Sequence, residues 1–355
     1  MDLETKIGQL FFVGFEGHAA SPALERYLAG LRPGGLIFFA RNIVDAGQIV
    51  ALNECLRRAI DPPPLIAVDQ EGGRVSRLRA VLPPLPPAAQ LANLPDGQLR
   101  AYGAALGAAL SALGFNTDFA PVVDLSAPEA ASGIGDRSFG EDAATVVRCA
   151  RAFVSGLSDV RVASFLKHFP GLGATEVDSH LSLPLCTRDG GALWERDLLP
   201  FRAVGREAAG VMVAHAHYPA FDPDRSVPSS LSEPIVTGLL RRRMGYDGLA
   251  LTDDLEMGAV AGPDPGTLAL QSLSAGNDMV MFCNHPERAL EAYRAVLAAV
   301  RSGRLEQAVV DRCVARIMAA KFRFGVLDEQ RPAGRAESPR AFEAAIAALQ
   351  PFATA

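Results

Sequence analysis

The chain has 355 residues, with 34 basic and 40 acidic side chains, so its formal net charge at pH 7 is −6. This weak acidity gives no reason to expect binding to nucleic acid or to an anionic membrane surface, because both call for clustered lysine and arginine. Hydrophobic residues make up 49% of the chain, which is enough for a large core.

The first residues and the cysteines indicate a cytoplasmic protein. Residues 1–6 contain no basic stretch followed by an apolar one, so we expect no secretory signal. The apolar stretch 101–113 is too short to span a bilayer and contains Gly103 and Gly107, so we interpret it as a buried helix. The five cysteines are scattered and form no C-x-x-C pair, which argues against a disulfide framework or a zinc ribbon.

Eight short apolar runs of strand length occur along the chain, and most are followed by a helical pattern, for example at 46–58, 99–113 and 286–302. Strands that alternate with helices are typical of parallel βαβ units, and eight such units can close into a barrel. We therefore predict a single (β/α)8 barrel of the TIM type over residues 1–327. The tail, residues 328–355, is expected to be an appended helix or partly disordered. The eight runs are residues 10–13, 35–39, 65–69, 117–121, 163–167, 211–215, 249–253 and 279–282.

The alternative fold is an open, doubly wound sheet with a dinucleotide site. That fold needs a G-x-G-x-x-G turn after the first strand, and the sequence there is Gly14-Phe15-Glu16-Gly17. The phosphate-binding pattern G-x-x-x-x-G-K-[ST] is also missing from the sequence. The barrel is therefore the better prediction.

Polar residues fall at the carboxyl ends of several predicted strands. One charged residue in such a place is usually an ordinary solvated strand end. Five that converge on one face are harder to dismiss, because active sites of (β/α)8 barrels are built at that face from several strands. The five residues are Asp69, Lys167, His168, His215 and Asp253.

The segment after the fifth run predicts a loop, since it contains Pro170, Gly171 and Gly173. Asp178 and His180 follow, two residues apart, so the carboxylate can hydrogen-bond one imidazole nitrogen. Such a pair suits a histidine that gives and takes a proton. The alternative is an Asx-turn beside a surface histidine.

Two acidic clusters end predicted strands. Asp253 and Asp254 are adjacent, and adjacent side chains at a strand end point to different sides, so only one of them can face the barrel mouth as a nucleophile. The other cluster, Asp69-Gln70-Glu71, precedes a Gly-Gly turn, and its alternative interpretation is a helix N-terminus with favourable acidic residues.

These segments resemble glycoside hydrolase family 3, and in particular its single-domain bacterial β-N-acetylglucosaminidases of cell-wall recycling. The resemblance runs in order from about residue 8 to residue 327. One such match would be weak, whereas seven in the right order are a strong signal. The matching segments are Asp69-Gln70-Glu71-Gly72-Gly73-Arg74-Val75, Asp118-Phe119-Ala120-Pro121-Val122-Val123-Asp124, Asp136-Arg137-Ser138-Phe139-Gly140, Lys167-His168-Phe169-Pro170-Gly171, Asp178-Ser179-His180, Met212-Val213-Ala214-His215 and Thr252-Asp253-Asp254-Leu255-Glu256-Met257.

The resemblance implies a retaining hydrolase of terminal N-acetylglucosamine that needs no metal or organic cofactor. Asp253 would be the nucleophile, and His180, paired with Asp178, the general acid/base. The residues expected to bind the sugar are Asp69, Arg137, Lys167, His168 and His215.

One segment departs from the family pattern. The family loop commonly reads Gly-His-Gly followed by Asp-Thr, whereas Leu172 and Ala174 stand here where a histidine and an aspartate are usual. Because Asp178 and His180 remain, we expect activity to survive. We expect the partner to be a small carbohydrate, with no nucleic acid or membrane partner, and the protein to be a monomer.

Three other functions stay open at this point. A phosphorylase would use phosphate in place of water, and its product would be a sugar 1-phosphate. A metal-dependent hydrolase is suggested by the pair His215-Ala216-His217, since H-x-H pairs can bind zinc. A carbohydrate-binding pseudoenzyme is suggested by the two departures in the loop, although the three predicted catalytic residues argue against it.

Overall fold

The computed structural model describes residues 1–126, 133–175, 183–223, 227–260, 262–328 and 339–354. Eight parallel strands close into one barrel, which confirms the predicted (β/α)8 fold. Each strand pairs with its neighbours in chain order, and the first strand also pairs with the eighth. The strands, numbered here from first to eighth, are Phe11–Val13, Gly35–Phe38, Leu65–Val68, Thr117–Asp118, Ala163–Phe169, Gly210–Val213, Leu249–Asp254 and Met279–Phe282.

The barrel interior is packed with side chains. The ring of Phe119, which directly follows the fourth strand, lies 5.0 Å from the ring of Phe12 in the first strand and 5.3 Å from that of Phe165 in the fifth. The first and fourth strands are not neighbours in the sheet, so this contact crosses the interior. All seven residues of the fifth strand are buried, as expected for strands covered on both faces.

Helices surround the barrel, and several of them begin at a side chain that caps the first turn. Asp45 accepts the backbone N–H of Gln48, and Asp142 accepts that of Thr145, so each satisfies a free donor of a first helical turn. The helices are Leu3–Gln9, Pro22–Leu31, Ala46–Ala59, Ala88–Leu91, Asp96–Ala112, Ala143–Asp159, Gly190–Ala192, Leu199–Val204, Pro265–Ala275, Pro286–Arg301, Gln307–Arg323 and Pro339–Leu349, with π-helical segments at Leu193–Asp197 and Pro234–Arg243.

The predicted strands and helices differ from the observed ones mainly at their ends. The fourth strand ends at Asp118 and not at residue 121, because Pro121 has no N–H group to donate to a neighbouring strand. The fifth strand continues to Phe169, past its predicted end at residue 167. The stretch 101–113 lies mostly in the helix Asp96–Ala112, where Leu106 and Leu110 are buried, as predicted.

The chain returns to the barrel near its C-terminus. The helix Pro339–Leu349 lies against the helix Asp96–Ala112 and buries Ala345 and Leu349. No helix in the described ranges is both long enough and apolar enough to cross a lipid bilayer.

Candidate active site

A cleft of about 490 Å³ opens at the carboxyl ends of the barrel strands. Six of the eight barrel strands contribute to its wall, with residues close to or directly after their carboxyl ends. This is the face on which barrels of this type carry their active sites. The cleft residues discussed below include Asp69, Lys167, His168, Asp253, Asp254 and Cys283.

Four charged side chains form a network at the cleft, which we call the Glu71 network. Lys167 places its Nζ atom 2.7 Å from Oδ1 of Asp69 and 2.6 Å from Oε1 of Glu71. Arg137 donates two parallel hydrogen bonds to Glu71, from Nε at 2.8 Å and from Nη2 at 2.9 Å. Glu71 therefore fixes both cations, and Asp69 shares one of them.

The charges of this network are mutually stabilised. Burial opposes the ionisation of Glu71, but Lys167 and Arg137 hold the pKa of its carboxyl far below the usual range. Burial likewise works against the charge of Lys167, and the attraction of Asp69 and Glu71 nevertheless raises the pKa of its ammonium group. The cleft thus presents fixed charges that can hold sugar hydroxyl groups.

Glu71 is carried by a two-stranded hairpin of Gln70–Gly72 and Val75–Ser76. The side chain of Gln70 donates to Oγ of Ser76 at 3.0 Å and accepts the backbone N–H of Leu78 at 3.1 Å. The backbone N–H of Gln70 is donated to Oδ1 of Asp118 at 3.0 Å. The acidic cluster therefore lies in a hairpin, and the alternative interpretation as a helix N-terminus is wrong.

His168 is oriented by a buried carboxylate. Its Nδ1 atom lies 2.7 Å from Oδ2 of Asp124. The same carboxylate accepts the backbone N–H of His168 at Oδ2 and that of Leu172 at Oδ1. The other ring nitrogen, Nε2, lies 3.4 Å from Nη2 of Arg137 and thus beside the Glu71 network. The imidazole of His168 is held in place for contact with a ligand in the cleft.

Asp253 and Asp254 end the seventh strand and have different surroundings. The carboxylate of Asp254 accepts the backbone N–H groups of Glu256 and Cys283 and the side-chain amide of Asn284, so it holds two loops. The carboxylate of Asp253 accepts its neighbour's backbone N–H at 2.8 Å. Both carboxylates border the cleft, whereas we expected only one of them to face the barrel mouth, but their hydrogen bonds give them different roles.

The two carboxyl groups also differ in acidity. Burial raises the pKa of Asp254 to about 7, with smaller contributions from the charges of Glu256 and Asp253. For Asp253, burial acts in the same direction, but His168, His215 and the backbone N–H of Asp254 outweigh it and lower the pKa. Asp253 is therefore ionised at neutral pH, as a nucleophile must be.

His215 is placed differently from our expectation of a sugar-binding residue. Its Nε2 atom donates to the carbonyl oxygen of Asp254 at 2.9 Å, and its Nδ1 atom accepts from the hydroxyl of Ser230 at 2.7 Å. Burial lowers the pKa of this imidazole. With both ring nitrogens occupied, His215 supports the end of the seventh strand from below the cleft.

The same bonds bear on the zinc alternative. His215 has no free lone pair for a metal, and His217 is buried with neither ring nitrogen hydrogen-bonded within the described ranges. Across those ranges, histidine, cysteine, aspartate and glutamate side chains form no group of three or more that could hold a metal ion. The H-x-H pair therefore does not form a zinc site with other described residues.

Asp178 and His180 lie outside the described residues, so their predicted roles stay predictions. Leu172, one of the two residues that differ from the family pattern in this loop, borders the cleft and is buried. Its backbone N–H is donated to Oδ1 of Asp124 at 2.7 Å, so the loop backbone is anchored although the usual side chain is replaced.

The structure adds three residues that we did not predict as site residues from the sequence. Glu71 and Asp124 stood inside segments that matched the family, and that match could have pointed to them. Arg77, whose Nη2 atom lies 3.5 Å from Oδ2 of Asp69, had no signal of its own. All three orient other charged residues at the cleft.

Comparison with known proteins agrees with this geometry. The profile of the family described as "Glycosyl hydrolase family 3 N terminal domain" matches residues 2–320. The chain belongs to glycoside hydrolase family 3. It is therefore a glycoside hydrolase, and the resemblance seen in its sequence is confirmed.

Individual members of family 3 are similar to most of the chain. The β-hexosaminidase of Alkalilimnicola ehrlichii is 41% identical over 285 residues, which are 78% of this chain and 80% of the relative. That of Vibrio cholerae serotype O1 is 42% identical over 265 residues, 73% of this chain and 77% of the relative.

Solved structures of family 3 enzymes have the same fold. A β-N-acetylglucosaminidase from Paenibacillus sp. is 36% identical, with a TM-score of 0.87, and the match covers 99% of this chain and 69% of that one. A β-N-acetylhexosaminidase from Beutenbergia cavernae is 32% identical, with a TM-score of 0.84, over 90% of this chain and 98% of that one.

Proposed function

We propose that this family 3 enzyme is a retaining exo-β-N-acetylglucosaminidase that uses Asp253 as its nucleophile. The observation that carries the proposal is the place of Asp253 at the end of a barrel strand. Its carboxylate is kept ionised in the cleft and lies beside the Glu71 network. The sugar specificity is supported by relatives that are themselves named β-hexosaminidases and β-N-acetylglucosaminidases.

The reaction has two steps that pass through a covalent intermediate. In the first, an oxygen of Asp253 attacks the anomeric carbon while His180 donates its proton to the departing glycosidic oxygen. In the second, His180 takes a proton from water, the water oxygen attacks the same carbon, and Asp253 leaves. Two inversions give net retention. The roles of His180 and Asp178 are supported by their spacing in the sequence and by the family resemblance.

The fixed charges at the cleft have a separate task. Asp69, Arg137, Lys167 and His168 hold the hydroxyl groups of the terminal sugar and place its anomeric carbon next to Asp253. Because Glu71 and Asp124 already fix the cations and the imidazole, little ordering remains to be done when substrate binds. The negative charge of Asp253 also stabilises the positive charge that develops on the sugar ring.

The proposal also covers the natural substrates of the enzyme and its localisation in the cell. The Asp178-Ser179-His180 segment resembles the loop of enzymes that recycle cell-wall fragments, so the substrates are muropeptides or chito-oligosaccharides with a terminal N-acetylglucosamine. The enzyme acts in the cytoplasm as a monomer. Competition between a muropeptide and a chito-oligosaccharide for hydrolysis of an aryl substrate ranks the two classes.

A pair of matched substrates tests the proposed activity. We expect an aryl N-acetyl-β-glucosaminide to be hydrolysed with a much higher kcat/KM than the corresponding aryl β-glucoside, and the product to be the free sugar. Comparable kcat/KM values would contradict the sugar specificity. A sugar 1-phosphate formed in phosphate buffer would show that the enzyme is a phosphorylase and not a hydrolase.

A further inference from the structure

The chain end reaches a loop at the mouth of the barrel, far from it in sequence. The backbone N–H of Thr354 is donated to the carbonyl oxygen of Pro84 at 2.9 Å. Pro84 belongs to residues 83–87, which we call the proline segment because four of its five residues are prolines. Prolines have no N–H group, so this segment is held mainly through its carbonyl oxygens and its packing.

The residues that precede Thr354 are themselves packed against the barrel. Residues 339–354, which we call the C-terminal segment, pack on the helix Asp96–Ala112 through the buried side chains of Ala345 and Leu349. The ring of Phe352 meets the fully buried ring of Tyr102 edge to face, with centroids 5.4 Å apart. The segment is thus anchored on a barrel helix immediately before it contacts Pro84.

On its other side, the proline segment touches the hairpin that carries Glu71. The backbone N–H of Gly73 is donated to the carbonyl oxygen of Leu85 at 2.8 Å. Gly72 has a φ of +94°, and a Cβ atom there would come within 2.2 Å of the carbonyl oxygen of Pro86. Only glycine fits so close an approach, so the hairpin turn rests directly on the proline segment.

The residues after the proline segment contact a second part of the Glu71 network. The short helix Ala88–Leu91 lies against the turn Gly135–Arg137, which carries Arg137. Both partners of the Glu71–Arg137 ion pair are therefore supported from the same stretch of chain. A shift of the proline segment would move the carboxylate and the guanidinium together, and Lys167 would follow through its bond to Glu71.

We propose that the C-terminal segment positions the active site, with Phe352 and Thr354 as positioning residues that act through the proline segment on Glu71. The expected change in KM rests on the proposed function, because it is measured with the proposed substrate. Its structural part, the support of the hairpin, does not depend on which substrate the enzyme uses. Neither positioning residue contacts the cleft itself.

The test compares Thr354→Pro with Thr354→Ala. Proline removes the N–H that Pro84 accepts, and Ala353, with φ −62° and ψ 140°, already has a backbone suited to a following proline. Alanine keeps that N–H and loses only the long 3.4 Å hydrogen bond from the side-chain hydroxyl to the same carbonyl oxygen, so it is the matched control. Phe352→Ala is a second, independent variant, and Leu28→Ala, at a buried position of a different helix, controls for loss of stability alone.

For Thr354→Pro we expect KM to rise about threefold to tenfold, the range that corresponds to one hydrogen bond, with little change in kcat. The reason is that the Glu71 network holds the sugar in the ground state and in the transition state alike. Phe352→Ala should act in the same direction, whereas Thr354→Ala and Leu28→Ala should leave KM unchanged. A lower Tm with an unchanged KM in Thr354→Pro would overturn the proposal.

Hydrogen exchange separates this inference from the proposed function. In Thr354→Pro, and not in Thr354→Ala, the peptide that covers the hairpin should exchange faster, because the Gly73 N–H loses its fixed acceptor. If the wild-type enzyme fails to hydrolyse the aryl N-acetyl-β-glucosaminide, the proposed function is wrong, and the exchange result still decides the inference. Unchanged exchange at the hairpin would contradict it.

Discussion

Nδ1 of His168, a residue that borders the cleft, lies 2.7 Å from Oδ2 of the buried Asp124. An ionised carboxylate only accepts hydrogen bonds, so this nitrogen carries a proton. The other ring nitrogen, Nε2, faces Arg137 and the cleft, 3.4 Å from Nη2 of the guanidinium. By holding Nδ1, Asp124 therefore determines that Nε2 is the ring nitrogen of His168 turned towards a ligand in the cleft.

Asp124→Asn tests this relationship. An asparagine that turns its amide group towards His168 donates to Nδ1 and thereby favours a proton on Nε2. Loss of one charged hydrogen bond is worth about 1.5–3 kcal/mol, so kcat/KM for an aryl N-acetyl-β-glucosaminide should fall about tenfold to a hundredfold. The double variant with His168→Ala should be no worse than His168→Ala alone, and additive losses would show that the two residues act separately.

Asp254→Asn tests the titration at the end of the seventh strand. Burial raises the pKa of Asp254 from its usual value of 3.8 to about 7, so the folded protein binds this proton more tightly than the unfolded chain does. Its contribution to the free energy of unfolding is therefore complete below the unfolded pKa and is lost as the pH rises through the folded one.

The free energy of unfolding of the wild type, relative to Asp254→Asn, should accordingly decrease between about pH 4 and pH 7. Urea unfolding at several pH values measures this difference. The exposed Asp247, changed to asparagine and measured over the same pH range, is the control for loss of a carboxylate at the protein surface. Parallel curves for wild type and Asp254→Asn would show that Asp254 does not titrate in this range.

His180→Ala tests the general acid. If His180 protonates the leaving oxygen, its removal should slow substrates with basic leaving groups most, whereas an activated phenol departs with little help. Across a series of aryl N-acetyl-β-glucosaminides, kcat/KM of the variant should depend more steeply on the pKa of the phenol than in the wild type. Asp178→Ala should produce a similar, weaker pattern. An unchanged dependence would leave His168 as a candidate for the acid.

The barrel could be predicted from sequence because its strands are buried on both faces. Such strands appear as apolar runs, and all eight runs correspond to strands. Polar residues at their ends, such as Asp69 and Lys167, then share one face by topology alone. The exact ends of the strands could not be predicted, because they depend on pairing with a neighbouring strand. The fourth strand ends early, at Asp118, and the fifth continues to Phe169.

Contacts between distant parts of the chain could not be predicted in the same way. Glu71 pairs with Arg137 across 66 residues of sequence, and no periodic pattern records such a pairing. The acidic cluster at Asp69 suited either a functional strand end before a Gly-Gly turn or a helix start, and the antiparallel pairing of Gln70–Gly72 with Val75–Ser76 excludes the helix. His215 ended an apolar run like the other polar residues, and only its two hydrogen bonds reveal a supporting role.

Covalent trapping tests the central claim most directly. A 5-fluoro derivative of N-acetylglucosaminyl fluoride reacts with a nucleophile and releases the enzyme slowly, so the glycosyl-enzyme accumulates. Intact-mass measurement followed by peptide mapping identifies the modified residue. We predict one sugar per chain on Asp253, no adduct in Asp253→Ala, and an adduct still formed in Asp254→Ala. An adduct on Asp254, or turnover of substrate by Asp253→Ala at the wild-type rate, would contradict the account.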